Sequence, residues 1–363
     1  MAVRPELLKT RRLIVKIGSR TIANDPEFPA RLARQVADLA QNKCGTVVVT
    51  SGAIALGWNR LGYKAKPKEV AQLQASAAAG QSVLMRRYDE AFLAVGLTPA
   101  QVLLSYADLA DRERLNNARA ALGALLDAGA VPIINENDTV ATDEIRFGDN
   151  DQLASMVVPL VGADLLVLLT DVEGVLDESG QRIPTMTPEQ QMVVLAPKSD
   201  RMGSGGMGSK VEAARKATRS GASVVIAPAA RDGVLSEIVA GADVGTLFPL
   251  LGTPLKARKH WIAFTLRPKG ALLLDAGAVR AMREGKSSLL PVGVVGVSGE
   301  FNAGDAVRLV GLDGVEVARG LTRLGTADVA RAAGKKGAEL SASFGDDAAE
   351  LVVVHKDDLV VSL

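Results

Sequence analysis

The chain has 363 residues, 48% hydrophobic and 23% charged, with 42 Lys and Arg against 41 Asp and Glu. A net charge of +1 gives no general attraction to nucleic acid or to an anionic membrane, and a single cysteine, Cys44, excludes an intrachain disulfide and suggests a reducing compartment. There are only two histidines, His260 and His355, so a Ser-His-Asp triad, a His-held zinc or a His general base is excluded from the first 250 residues.

The opening stretch, MAVRPELLKTRR, lacks the apolar core of a signal peptide. No apolar run reaches the roughly 18 residues of a membrane helix, and the expected location is cytoplasmic. Leu13 to Ile17 (LIVKI) predicts a short strand followed by Gly18-Ser19, and Pro29 to Asn42 has helical spacing. Thr46 to Thr50 is β-branched and apolar within, as a central parallel strand would be, and leads into Ser51-Gly52-Ala53. Lys66 to Val95 predicts a long helical stretch broken near Gly80. A strand is expected over Gln101 to Ser105, a helix over Asp108 to Ala128 and a strand over Val131 to Ile134.

Residues 135–151 then read NENDTVATDEIRFGDND, six carboxylates and three asparagines offset only by Arg146. A solvated acidic loop would look similar. This one opens at the carboxyl end of a strand, where open α/β sheets place ligands. It closes on residues that cap helices, directly before the apolar helical run Leu153 to Val161. Leu165 to Thr170 and Ser223 to Ala227 repeat the strand pattern. Strands alternating with helices indicate an α/β fold: an open αβα sandwich around a mainly parallel sheet. After Pro268 the rhythm changes to short Val-rich segments (Val292 to Val297, Ala306 to Val310, Val315 to Ala318, Leu351 to Val354) with one preceding helix, Ala276 to Arg283. This predicts a small, mostly β C-terminal domain, with residues 1–267 and 271–363 as the two domains joined at Pro268-Lys269-Gly270.

Two lysines stand out. Lys16 lies inside an apolar strand, where a charge is costly unless paired. Snorkelling from an edge strand is one explanation and phosphate binding beside Gly18 another. Lys210 follows the glycine-rich run Gly203-Ser204-Gly205-Gly206-Met207-Gly208-Ser209 at the expected start of a helix, where a cation opposes the dipole unless an anion is present. The G-x-G-x-x-G within that run follows a polar stretch rather than a strand, which argues against a dinucleotide fingerprint and against a Walker A loop. A plain surface loop is the alternative. Lysines, a glycine loop and carboxylates without histidine suit phosphoryl transfer from a nucleotide, and a carboxylate acceptor would explain the missing histidine. With a pKa near ~4.3 such an acceptor is already ionised and needs no general base.

The stretches IVKIGS (14–19), VVVTSGAIALG (47–57), DRERLNNAR (111–119), VPIINENDTVAT (131–142), GDNDQLA (148–154), LLTDVEG (168–174), GSGGMGSKVEAA (203–214), GTLF (245–248), RKHWI (258–262) and GKSSLLPVGV (285–294) resemble the glutamate 5-kinases, amino acid kinases with a C-terminal PUA domain. The resemblance implies ATP-dependent phosphorylation of the γ-carboxylate of L-glutamate, the opening step of proline biosynthesis, with Mg²⁺ accompanying ATP and no metal held by protein side chains. It places Lys16 and Lys210 on the ATP phosphates and Thr170, Asp171 and the loop Ser204, Gly205, Gly206, Met207, Gly208, Ser209 and Lys210 on the nucleotide. Ser51, Asp138 and Asn150 are placed on glutamate, with Asp138 facing its α-ammonium. Asp151 orients the two lysines, and Asp108 and Glu144 lie where proline inhibits. A homo-oligomer, dimer or tetramer, is also implied. Arg20 departs from the family, which favours a small residue there. PUA domains often bind RNA, but residues 271–363 hold ten Lys and Arg against thirteen Asp and Glu, with Phe301 and Phe344 the only aromatics. RNA binding is therefore not expected, although an RNA-binding protein with a vestigial kinase domain, or a sister carboxylate kinase acting on another amino acid, remains an alternative reading.

Overall fold

The structure, a computed structural model, describes residues 4–141, 150–195, 206–250, 255–285, 287–345 and 351–362. The chain divides into two compact units, Met1–Pro254 and Leu255–Leu363.

The first unit is built on a seven-stranded sheet in the order β3-β4-β2-β1-β5-β6-β7. The strands are β1 (Arg12–Lys16), β2 (Gly45–Val49), β3 (Pro99–Leu104), β4 (Val131–Glu136), β5 (Leu165–Thr170), β6 (Ser223–Pro228) and β7 (Thr246–Phe248). All pairings are parallel except β6 with β7. Helices cover both faces, so β5 and β6 are buried at every position and read as continuous apolar runs. Alternation assigns each side chain a face. Leu13 and Val15 of β1, Ile17 directly after it, Ile133 of β4 and Val167 of β5 share one core with helices Phe28–Gln41 and Val70–Leu93. Lys16, two residues on from Ile14, is directed to the other face, where helices Arg112–Asp127, Asn150–Val161 and Met207–Arg219 lie.

β1 is the middle strand, with β2 on one side and β5 on the other. The chain after β1 builds the β2, β4, β3 half first and returns to the far side of β1 with β5. That reversal leaves a crevice at the carboxyl end of β1, the usual ligand position in such sheets. A central, fully paired β1 also removes the edge-strand explanation for Lys16.

Three local expectations need correction. Helix Val70–Leu93 runs unbroken through Gly80. Its glycine serves a crossing: a Cβ at Gly80 would overlap the Ala53 carbonyl, and one at Gly57 would overlap Ser76 O. Helices Ala53–Gly57 and Val70–Leu93 thus touch backbone to backbone. The stretch expected as one helix from Asp108 splits into Tyr106–Ala110 and Arg112–Asp127, because Ser105 and Asp111 each cap a new start with their side chains. Asn135 and Glu136, expected in a polar loop, are the buried last residues of β4.

The second unit is a five-stranded sheet, order β12-β11-β10-β8-β9, with its own core including Leu272, Leu309, Val317 and Val354. Its strands are β8 (Gly270–Leu274), β9 (Val294–Gly299), β10 (Ala306–Val310), β11 (Glu316–Thr322) and β12 (Val354–Val361). Only β8 and β10 pair in parallel. The last strand thus begins where the expected Leu351 to Val354 strand was to end. Two further helices, Thr326–Ala332 and Ala338–Phe344, join the expected one. Helix Ala257–His260 and the π-helical turn Trp261–Thr265 lie against this sheet: Arg258 pairs with Asp358 at 2.6 Å, and Arg319 donates to Ala263 O at 3.3 Å.

Candidate active site

Three side chains meet at the carboxyl end of β1. Lys16 Nζ lies 2.6 Å from Asp151 Oδ1, and Lys210 Nζ lies 2.9 Å from Asp151 Oδ2. Lys16, Asp151 and Lys210 are 5%, 0% and 7% exposed. They come from β1, from the first turn of helix Asn150–Val161 and from the first turn of helix Met207–Arg219. A fully buried carboxylate would normally be driven toward its neutral form. Burial does push the Asp151 carboxyl up, but the ammonium groups of Lys16 and Lys210 outweigh it and hold it below the usual range. Two cations on one anion leave an excess positive charge in a place poorly screened by water. An arrangement of that kind favours a further anion beside it.

The backbone around the lysines is prepared for one. Among the described residues no side chain caps helix Met207–Arg219 at Gly206, so the amides of its first turn are left to a ligand. Helix Ser19–Asn24 starts from Gly18 in the same way. Among the described residues a Cβ built at Gly18 or Gly208 would meet nothing within 4 Å, which leaves space beside the backbone at both turns. Ser209 Oγ is buried with no hydrogen-bond partner among the described residues. Free amides, open glycines, an orphaned hydroxyl and two ammonium groups together fit the phosphates of a nucleotide. Ser204 and Gly205 of the same run lie outside the described residues.

Beside the lysine pair is a buried amide cluster. Asn150 Nδ2 donates to Thr50 O at 2.5 Å, to Ser51 Oγ at 2.9 Å and to Asn135 Oδ1 at 2.9 Å. Asn135 Nδ2 donates to Gln81 Oε1 at 2.8 Å. Thr50 Oγ1 is 2.8 Å from the hydroxyl of the fully buried Tyr88, whose phenol burial pushes up. Ser51 is presented by the turn through Gly52, whose φ of 110° suits glycine alone. Thr170 ends β5 with its hydroxyl 3.2 Å from Asp171 Oδ1, and Asp171 pairs with Arg20 at 3.0 Å. The departing residue Arg20 therefore reaches a residue expected on the nucleotide, through an exposed contact of small energetic weight.

The sequence-expected site is thus gathered in large part. Lys16, Asp151 and Lys210 form one ion cluster, with Asn150 and Ser51 hydrogen-bonded to each other beside it. Asp138 lies half-buried in the turn after β4. Asp108 is engaged away from this cluster, capping helix Tyr106–Ala110 through Ser105 and pairing with Arg114 at 2.8 Å. Glu144 lies outside the described residues. Sequence reasoning missed Gln81 and Gln152. Gln152 accepts from Lys216 Nζ at 2.6 Å and donates to Ser209 O at 3.2 Å, latching the helix of Asp151 to the helix of Lys210. Its signal was adjacency to Asp151; Gln81 had none, one polar residue in an Ala- and Gln-rich helix. Among the described residues no three His, Cys, Asp or Glu side chains converge as a metal site.

The chain matches the amino acid kinase family over residues 11–228 and the PUA domain over residues 270–344. It is 46% identical over 364 residues to a glutamate 5-kinase of Thermus thermophilus, covering 98% of each chain. It is 42% identical over 376 residues to that of Trichlorobacter lovleyi, again covering 98% of each. Among solved structures, N-acetylglutamate synthase from Neisseria gonorrhoeae, complexed with coenzyme A and N-acetyl-glutamate, aligns with a TM-score of 0.52 at 17% identity. That alignment covers 69% of this chain and 62% of the synthase, and it establishes shared fold alone.

Proposed function

The chain belongs to the amino acid kinase family, among its glutamate 5-kinases, and we infer from that premise how its residues perform ATP-dependent phosphorylation of the L-glutamate γ-carboxylate. The product is L-glutamyl 5-phosphate, which enters proline synthesis. The observation that carries the mechanism is the shared carboxylate: Lys16 and Lys210 converge on Asp151 next to Asn150.

The acceptor arrives as an anion, so no base is required, in accord with a site without histidine. A γ-carboxylate oxygen attacks the terminal phosphorus of ATP. The new bond is carboxyl oxygen to phosphorus; the bond broken joins that phosphorus to the β,γ-bridging oxygen, which leaves on ADP with the electron pair. Lys16 and Lys210 neutralise charge on the transferring group, and the first-turn amides of helix Met207–Arg219 receive phosphate oxygens. Asp151 acts as a positioning residue: it holds both ammonium groups and its own charge keeps them from separating. Ser51, Asp138 and Asn150 bind glutamate, with Asp138 on the α-ammonium. Thr170, Asp171 and the run Ser204 to Lys210 bind the nucleotide. Mg²⁺ carried in with ATP, rather than held by protein side chains, would supply further charge neutralisation. Proline acts as feedback inhibitor near Asp108 and Glu144, the enzyme is a cytoplasmic homo-oligomer, and the C-terminal unit does not bind RNA.

The test is ATP- and Mg²⁺-dependent turnover of glutamate, with the acyl phosphate trapped by hydroxylamine as a hydroxamate, assayed with and without proline. Equal turnover of aspartate or N-acetylglutamate would move the chain to a sister kinase. No turnover with salt-sensitive RNA binding would favour a vestigial kinase domain.

A further inference from the structure

The amide cluster has a direction that chemistry forces. Thr50 O is a backbone carbonyl and can only accept, so the Asn150 atom 2.5 Å from it is the amide nitrogen. That nitrogen is a donor only, so the Asn135 atom facing it is Oδ1. Asn135 therefore turns its Nδ2 toward Gln81, and Gln81 must answer with Oε1. One main-chain carbonyl thus fixes three side-chain amides in sequence. The relay passes around the strand ends: Asn135 shares the sheet face of Ile133, which packs on helix Val70–Leu93, where Gln81 resides. The chain of donors ends on Gln81 Nε2, which is buried and has no partner among the described residues. At the other end the Asn150 amide hydrogens are all engaged by protein acceptors, so only its Oδ1 can meet a ligand.

We propose that Gln81 is a specificity-determining residue, whose Nε2 donates to the α-carboxylate of the amino-acid substrate. The assignment rests on the glutamate kinase reading. There the γ-carboxylate is committed to the phosphoryl group and the α-ammonium needs acceptors, which Asn150 Oδ1 and Asp138 supply. The α-carboxylate is the one charged group still requiring a donor. A fixed N–H donor that loses its acceptor is penalised when the wrong substrate binds, which makes such contacts selective. Because the relay holds Oε1 against Asn135, Gln81 cannot flip to present an acceptor instead.

The experiment measures kcat/KM for L-glutamate and for L-isoglutamine, its α-carboxamide, in the full-length protein and in Gln81→Glu. The variant keeps an oxygen for Asn135 but replaces the donor with an anion. The wild type is expected to favour glutamate by at least about tenfold. In Gln81→Glu the KM for glutamate is expected to rise on the order of 10- to 100-fold, the KM for ATP to stay within about twofold, and the preference to shrink or invert. Equal losses on both substrates, or an unchanged KM for glutamate, would overturn the proposal. If Gln81→Glu does not fold, Gln81→Met removes the donor without adding charge and is expected to lessen the preference for glutamate; retention of the full preference overturns the assignment. Absence of glutamate turnover in the wild type would overturn the kinase reading, and this assignment with it. That result is distinct from wild-type turnover with a Gln81 that does not discriminate.

Discussion

A carboxylate with no exposure stays ionised only if cations are held against it, and Asp151 has two. Removing it leaves two buried ammonium groups uncompensated, so Asp151→Ala is expected to lower unfolding free energy by about 3–5 kcal/mol. A denaturant titration reads this, and saturating ATP should recover part of the loss by supplying the missing anion. The pH dependence has a definite sign. The folded pKa of Asp151 lies below its unfolded value, so its contribution is fully present above the unfolded value of about 3.9 and is lost as pH falls through the folded pKa. Acid titration of wild type against Asp151→Asn should show this component in the wild type alone. Lys210→Ala is expected to lower kcat on the order of 100- to 1000-fold; near-normal turnover by a folded variant would remove its assigned role. Asp138→Ala should act chiefly on the KM for glutamate, and a rise in the KM for ATP instead would mean that its partner is misassigned.

Among the secondary-structure elements, two pairs of glycines behave oppositely for one steric reason. Gly57 and Gly80 stand where helices Ala53–Gly57 and Val70–Leu93 touch, and a methyl at either overlaps backbone that cannot move aside. Gly80→Ala is expected to cost about 3 kcal/mol, seen as a lower urea midpoint. Gly18 and Gly208 have no neighbour within reach of a Cβ among the described residues. Gly208→Ala should leave the midpoint unchanged or slightly higher while raising the KM for ATP several-fold, because the methyl occupies space assigned to phosphate. A Gly208→Ala enzyme with unaltered KM for ATP would show that the nucleotide lies elsewhere.

Among the described residues the parallel-sheet unit and the C-terminal unit each have a core of their own. The C-terminal sheet matches a PUA domain in a chain segment whose acids outnumber its bases. A segment of net negative charge is not expected to attract phosphate backbones by charge alone. Full-length protein is expected to retain no RNA in a filter assay at any ionic strength above about 50 mM. Retention that falls steeply with added salt would contradict that expectation.

Sequence alone determined the αβα architecture, because parallel strands buried on both faces leave continuous apolar runs that few other structures produce. It also exposed Lys16, since a charge within such a run is conspicuous against its neighbours, and Lys210, since a cation at a helix start opposes the dipole. The limits of the long helices and the extent of β4 were not legible. Gly80 reads as a breaker when only its backbone freedom is considered, and Asn135 reads as loop because polarity hides burial. That both lysines share one carboxylate, and that a main-chain carbonyl orients Gln81 through two asparagines, was decided by the tertiary structure. Ion pairs and hydrogen bonds depend on positions across three helices and the strand ends, separated by 15 to 100 residues and more in the chain, and periodicity reports only on neighbours within one element.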